Sequence, residues 1–349
     1  MRKVPVHFTR LPQFGYRILK WSVKYYFFKK TSPLICGIHV TDVCNLRCEM
    51  CGVWKKEQKE TLDFELYKKT IIDLSKSCCY LSLCGGEPLA IPDIFERIKF
   101  ARKHIPLVRI VSNGFIIDEK MAIKLGESRI NEISISLDGF KDIHDKFRGK
   151  EGSFDKAIAA IKHLKKYAPS TNIIVNTIIA PWNIKQLPPF IDFIESLNVR
   201  QNFQAIGSIF QKVESTAYSG VGIDERDLAL LMNKVRSKKN IVNSKYYLSK
   251  IPEYFLGRKD FISINEKRCL LPKYFIEIKP DKKLYICGIV FDEGKPFELE
   301  MGLSNILKSK EFKEEQKNLE NCKLCEKAMY VCYLEPRISF PFEKLLKYH

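Results

Sequence analysis

The sequence predicts an α/β protein: a partial (β/α)6 barrel followed by a small C-terminal cysteine-rich domain. Three observations carry this reading. From residue 34 onward, six strand-like runs alternate with helical patterns. Glycines and short polar residues collect at the carboxyl ends of those runs. The cysteines gather mainly in two places, 44–51 and 269–332. At 349 residues and 45% hydrophobic content, the chain is long enough for one large core and a smaller appendage.

The strand-like runs are 35–41, 80–84, 107–112, 132–137, 173–179 and 202–206. Helical patterns occupy 63–76, 92–104, 118–126, 153–167 and 186–197, with Asp63 and the Pro92-Asp93 pair as start signals. Six βα units in succession make a parallel sheet with helices outside, open on one side for a large substrate. Every βα loop then lies at the carboxyl ends of the strands, where such folds keep their chemistry. The resulting division is a basic amphipathic segment 1–33, a barrel 34–210, a polar helical connector 211–265, a cysteine-rich region 266–335 and a basic tail 336–349. Within the connector, 224–235 is the clearest amphipathic helix. Residues 275–287 read as a hairpin turning at Pro280-Asp281.

In the first segment, Phe14, Ile18, Trp21, Tyr25 and Phe28 share one helical face, flanked by Arg17, Lys20, Lys24, Lys29 and Lys30. Two readings stand: a helix packed on the protein surface, or an interfacial helix that brings residues 14–30 to a membrane of anionic lipid. The net charge of +18 favours anionic partners, but the lysines are scattered and nothing points specifically to nucleic acid. No apolar run is long enough to span a membrane, and residues 1–30 lack the apolar stretch of a signal peptide. The expected location is the cytoplasm, with contact at the inner face of the membrane as an option. In that reducing setting the twelve cysteines read as metal ligands or core residues.

The strongest motif is Cys44-x3-Cys48-x2-Cys51, directly after the first strand. Disulfides are awkward at this spacing, and a tetrahedral zinc site needs a fourth ligand that does not follow. Three thiolates suit a cubane iron–sulfur cluster with one iron left open. The other rim residues are Gly85-Gly86-Glu87-Pro88, Ser112-Asn113-Gly114, Ser136 with Asp138, Asn176, and Ala205-Ile206-Gly207.

Together these motifs resemble the radical S-adenosylmethionine (radical SAM) superfamily over about residues 35–207. The resemblance implies a TIM-like partial barrel. It also implies that Cys44, Cys48 and Cys51 hold a [4Fe–4S] cluster whose open iron binds S-adenosylmethionine. A one-electron reduction would then yield a 5′-deoxyadenosyl radical that takes hydrogen from a substrate. It casts Gly85, Gly86 and Glu87 as the contact for the methionine ammonium, and Asn113 as a further cofactor contact. Ser136 and Asp138 would meet ribose or carboxylate, and Arg148 would pair with the carboxylate. Met50 stands where the family often has an aromatic beside the adenine, and the backbone at Ile206 would meet the adenine.

The C-terminal cysteines resemble the family's SPASM or twitch extension over about 269–335. A full extension has seven cysteines, but this chain has five. The resemblance therefore implies one auxiliary [4Fe–4S] cluster on Cys269, Cys287, Cys322 and Cys325, with Cys332 as a possible replacement. A zinc site on the same cysteines is the rival. Gly288 stands where sulfatase-maturing relatives carry an Asp. Cys36, Cys78, Cys79 and Cys84 receive no function.

The expected activity is radical oxidation or crosslinking of a peptide or protein side chain, fed by a flavodoxin- or ferredoxin-type donor. The rivals are modification of a membrane lipid or sugar-like small molecule, and a non-catalytic iron–sulfur protein that serves redox or nucleic-acid binding.

Overall fold

A computed structural model describes residues 11–28, 30–206, 222–257, 269, 271–287 and 295–320. Six strands, β1 (Ile35–Thr41), β2 (Tyr80–Gly85), β3 (Leu107–Ser112), β4 (Glu132–Ser136), β5 (Asn172–Ile179) and β6 (Arg200–Ala205), lie side by side in chain order, all parallel. This is the expected run of βα units.

The sheet does not stop at β1. β7 (Phe275–Ile278) pairs parallel with it, and β8 (Lys283–Tyr285) and β9 (Phe297–Glu298) continue antiparallel. The hairpin read around Pro280-Asp281 is therefore present. The sequence does not reveal its docking beside the first strand, which joins positions about 240 residues apart.

Between the strands run α2 (Phe64–Leu74), α3 (Ile94–His104), α4 (Glu119–Glu127), α5 (Lys141–Arg148), α6 (Ser153–Tyr167) and α7 (Leu187–Ser196). Asp63 caps α2 as expected, its carboxylate accepting from Leu66 N at 2.8 Å. Asp93 makes no such cap. Its two oxygens instead take the buried Arg97 guanidinium at 2.9 and 2.8 Å. α5 is absent from the sequence reading because it is short and polar and has no side-chain cap. The connector supplies α8 (Glu225–Arg236), capped by Asp224, and α9 (Lys245–Phe255), capped by Ser244.

Alternation along the strands divides the sheet into two faces. Ile38, Ile110, Ile133, Ile135, Val175 and Phe203 point to the helices and are fully buried. The opposite face is polar. There Tyr80 donates to Glu132 at 3.0 Å, Asn172 donates to the other Glu132 oxygen at 2.7 Å, and Arg200 donates to Asn172 at 3.1 Å. This network ties the amino-terminal ends of four strands together. Nearer the carboxyl ends, Ser136, Asn176 and Asn202 stand in register across β4, β5 and β6.

The first helix, α1 (Leu11–Phe28), settles one of the open alternatives. The face read from the sequence packs on the protein. Trp21 is buried, donates to Ser32 O at 2.9 Å and meets Tyr274 edge-on, while Phe14, Ile18 and Tyr25 pack against the core. Arg17 reaches over to the carbonyls of Cys78 and His104. The membrane reading of that face is therefore corrected: its apolar partner is the domain itself. Phe28 alone of the five stays exposed. No helix among the described residues is long and apolar enough to cross a membrane.

Candidate active site

The cysteine loop leaves β1 at the carboxyl rim and is tied down from several sides. Leu46 anchors it in the core. Glu49 N donates to Phe147 O at 3.0 Å, and the Trp54 indole donates to Cys48 O at 3.0 Å. Cys48 is buried, while Cys44 and Cys51 are half-buried; none is in a disulfide. Burial pushes the Cys44 and Cys48 thiols up; Cys51 adds to both, and Arg148 pulls Cys48 back down. The three cysteines thus share one short loop at the carboxyl rim of β1.

The Gly85-Gly86-Glu87 segment also has a structural task. A Cβ on Gly86 would come within 3 Å of the Val43 backbone, and one on Gly85 within 3 Å of Thr41 O. Gly86 N donates to Thr41 O at 2.7 Å, and Glu87 N donates to Val43 O at 2.8 Å. The glycines admit backbone against backbone and so fasten the base of the cysteine loop to β2. Gly86→Ala is therefore expected to displace that loop, at a cost of about 1–3 kcal/mol. Thermal melting with iron content per chain measures it, and a variant that loads iron and melts like the parent would refute the clamp.

Glu87 is fully buried, with its carboxylate already engaged. Oε2 accepts from Asn113 N at 2.8 Å and Oε1 from Leu89 N at 3.2 Å. Burial pushes it up to about 7, against the downward pull of these bonds and of Ser112. Its geometry is that of a brace between the rims of β2 and β3, not of an open acceptor for an ammonium group. Asn113 continues the brace: its Nδ2 donates to Asn45 Oδ1 at 2.7 Å, and its Oδ1 accepts from Phe115 N at 2.9 Å.

Asp138 and Arg148 form a buried pair, with Nε and Nη2 on Oδ2 at 2.8 and 2.7 Å. The other guanidinium arm, Nη1, lies 3.9 Å from Cys48 Sγ. Asp138 Oδ1 also accepts from Ile178 N at 3.0 Å. Burial alone would raise the Asp138 carboxyl, but Arg148 and His144 outweigh it and hold it below the usual range. The expectation that Arg148 pairs with a cofactor carboxylate and Asp138 with ribose or carboxylate is thus revised, because each is the other's partner. Ser136 does not share that fate. It ends β4 half-buried, whereas Asp138 lies past the strand, where alternation no longer governs its direction.

Ile206 is likewise committed. Its N–H donates to Ile179 O at 2.9 Å, and its carbonyl accepts from Tyr254 at 2.8 Å, so the backbone expected to meet adenine is spent on β5 and α9. Gly207 lies outside the described residues. Met50 is half-buried against the core beside the cysteine loop. Of the auxiliary set, Cys269 and Cys287 are both buried, while Cys322, Cys325 and Cys332 lie outside the described residues.

Several contributors escaped the sequence reading. Asn45 and Trp54 sit in or beside the cysteine motif, and only their partners reveal them. His39, which contacts Glu277 across the β1–β7 seam, faces the polar side. Burial would lower His39, but Cys84 and Glu277 outweigh that and push it up to about 9. Nothing local in the sequence links these three positions.

Residues 38–194 match the Radical SAM superfamily. The chain carries a radical SAM domain. The chain is 31% identical over 172 residues to Fe-coproporphyrin III synthase of Methanosarcina barkeri, covering 48% of this chain and 42% of that one. It is 32% identical over 163 residues to the mycofactocin maturase MftC of Mycolicibacterium smegmatis, covering 46% and 41%. The match thus spans less than half the length of these curated relatives. In fold, the chain is similar to Streptococcus suis SuiB bound to precursor peptide SuiA. That likeness has a TM-score of 0.64 at 15% identity and covers 88% of this chain and 74% of SuiB.

Radical SAM domains work with a [4Fe–4S] cluster and S-adenosylmethionine, and two features of this loop fit such a group. First, Asn45 Nδ2 is buried without a partner beside Cys44, so a sulfide, thiolate or cofactor oxygen would satisfy a donor that is otherwise costly to bury. Second, Arg148 brings a positive charge to Cys48, suited to a thiolate. Among the described residues no group of His, Cys, Asp and Glu could hold a single metal ion. A cubane asks for a different arrangement, with each thiolate on its own iron.

Proposed function

We propose that this chain is a radical SAM enzyme that oxidises or crosslinks a side chain of a peptide or protein. The observation that carries it is the cysteine loop itself. Three neighbouring thiols are clamped by Gly86 and Glu87 from β2 and approached by the Arg148 guanidinium. Cys44, Cys48 and Cys51 would hold the cluster. The backbone of Gly85 and Gly86, with Met50, Asn113 and Ser136, would border S-adenosylmethionine. Bound there, the two would supply radical chemistry that removes a hydrogen atom from substrate.

The chain's own part is positioning. Glu87 and Asn113 hold the rims of β2 and β3 against the loop, and Asn45 offers its free amide hydrogens. Arg148 stabilises negative charge at Cys48, and Asp138 keeps that guanidinium in place. The polar face beneath the rim, with Asn176 and Asn202 in register, provides amide groups suited to a peptide. The maturase relative and the peptide-bound SuiB support that substrate class. A small-molecule substrate is the second reading, favoured by the Fe-coproporphyrin III synthase relative. An auxiliary cluster on Cys269, Cys287, Cys322 and Cys325, or with Cys332 replacing one of them, and a flavodoxin- or ferredoxin-type donor complete the proposal.

Anaerobically reconstituted protein, given reductant and S-adenosylmethionine, should release 5′-deoxyadenosine. No product under reducing conditions, with a loaded cluster and candidate peptides present, would rule the reading out.

A further inference from the structure

α1 has a second apolar stripe that the sequence reading did not assign. Tyr16, Leu19, Val23 and Phe27 recur at i, i+3, i+7 and i+11, on the side of the helix opposite buried Trp21. Their exposures are 62, 64, 41 and 78%, and Phe28 at the helix end is 64% exposed. With Phe28, α1 carries five of the twelve large hydrophobics exposed among the described residues, so the patch is a concentration and not ordinary surface scatter. Lys20 and Lys24 are exposed along one edge of the stripe, Lys30 is exposed just past the helix, and α1 contains no acidic residue.

We propose that this outward stripe seats the protein on an anionic lipid surface. Trp21, Phe14, Ile18 and Tyr25 fix the helix to the domain, so it lies as a rigid ridge with its free side outward. Four apolar side chains spaced over roughly 16 Å dip between headgroups, while the lysines meet lipid phosphates. The charge argues for lipid over a second copy of the chain. Every charged side chain on α1 is basic, so self-pairing through the stripe would bring like charges together. An anionic surface complements the same set. The proposal is independent of the reaction proposed above.

The test is co-sedimentation of the full chain with phosphatidylglycerol-containing and pure phosphatidylcholine vesicles. Binding to the anionic vesicles at least tenfold tighter is expected, and Lys20→Gln/Lys24→Gln should weaken it about fivefold per lysine. Leu19→Ser/Phe27→Ser keeps the net charge and alters exposed positions only. It should lose at least tenfold, since burying each such side chain is worth about tenfold or more. Circular dichroism and melting confirm that both variants fold. Equal binding to both vesicle types, or serine-variant binding like the parent's, would overturn the proposal. So would a dimer without lipid that the serine variant dissociates, because the stripe would then belong to self-association.

Discussion

Replacing Cys44, Cys48 and Cys51 together with alanine is expected to remove about four irons per chain and all 5′-deoxyadenosine formation. The loop has no substitute ligand. Among the described residues no other cysteine lies in it, and Cys84 faces the β1–β7 seam with His39. Cys48 is the most demanding of the three. Its carbonyl is held by Trp54 and its sulfur is approached by Arg148, so its direction is dictated from two sides. The parent should carry about eight irons if the cysteines at 269, 287, 322 and 325 hold a second cluster, and the triple variant about four. Iron and acid-labile sulfide assays read both numbers. A parent holding about four would sink the auxiliary cluster, and a triple variant that still cleaves S-adenosylmethionine would sink the main one.

Asp138→Ala is the substitution expected to cost the most stability. It leaves the Arg148 guanidinium buried without its carboxylate and strips Ile178 N of its acceptor. Breaking a fully buried pair from one side costs roughly 3–5 kcal/mol. A domain of this kind has only about 5–15 kcal/mol in total, so the variant should fold incompletely at 37 °C. The pH dependence follows from the same pair. The Asp138 carboxyl is held below its ordinary value, so its contribution is complete above an unfolded value of about 3.9. It is lost as pH falls through the lower folded value. Denaturant melts of parent and Asp138→Ala across the acid range measure this. A variant whose loss of stability is as large at pH 2 as at pH 7 would show that the carboxylate's charge is not what holds Arg148.

Much of the architecture is legible in the sequence because its signals are local. Short runs rich in β-branched and apolar residues at 107–112 and 173–179, set between helical patterns, read as strands, and Asp63 with Leu66 forms a cap within one turn. α5 lacks such a signal. The apolar face of α1 is equally legible, but its partner is not. An amphipathic period says that a face is covered without saying by what, and Tyr274 is more than 250 residues away.

The candidate site divides along the same line. By itself, the sequence determined that three thiols share one short loop at the end of β1, and that glycines and polar residues end the neighbouring strands. Spacing and period suffice for that. Only the tertiary structure decided which of those polar groups remain open to a ligand. Glu87 is spent on Asn113, Asp138 on Arg148 and Ile206 on Tyr254, while Asn45 keeps a buried, unpartnered amide. A buried polar group must be satisfied by whatever the fold brings beside it, and here that partner comes from another strand or helix.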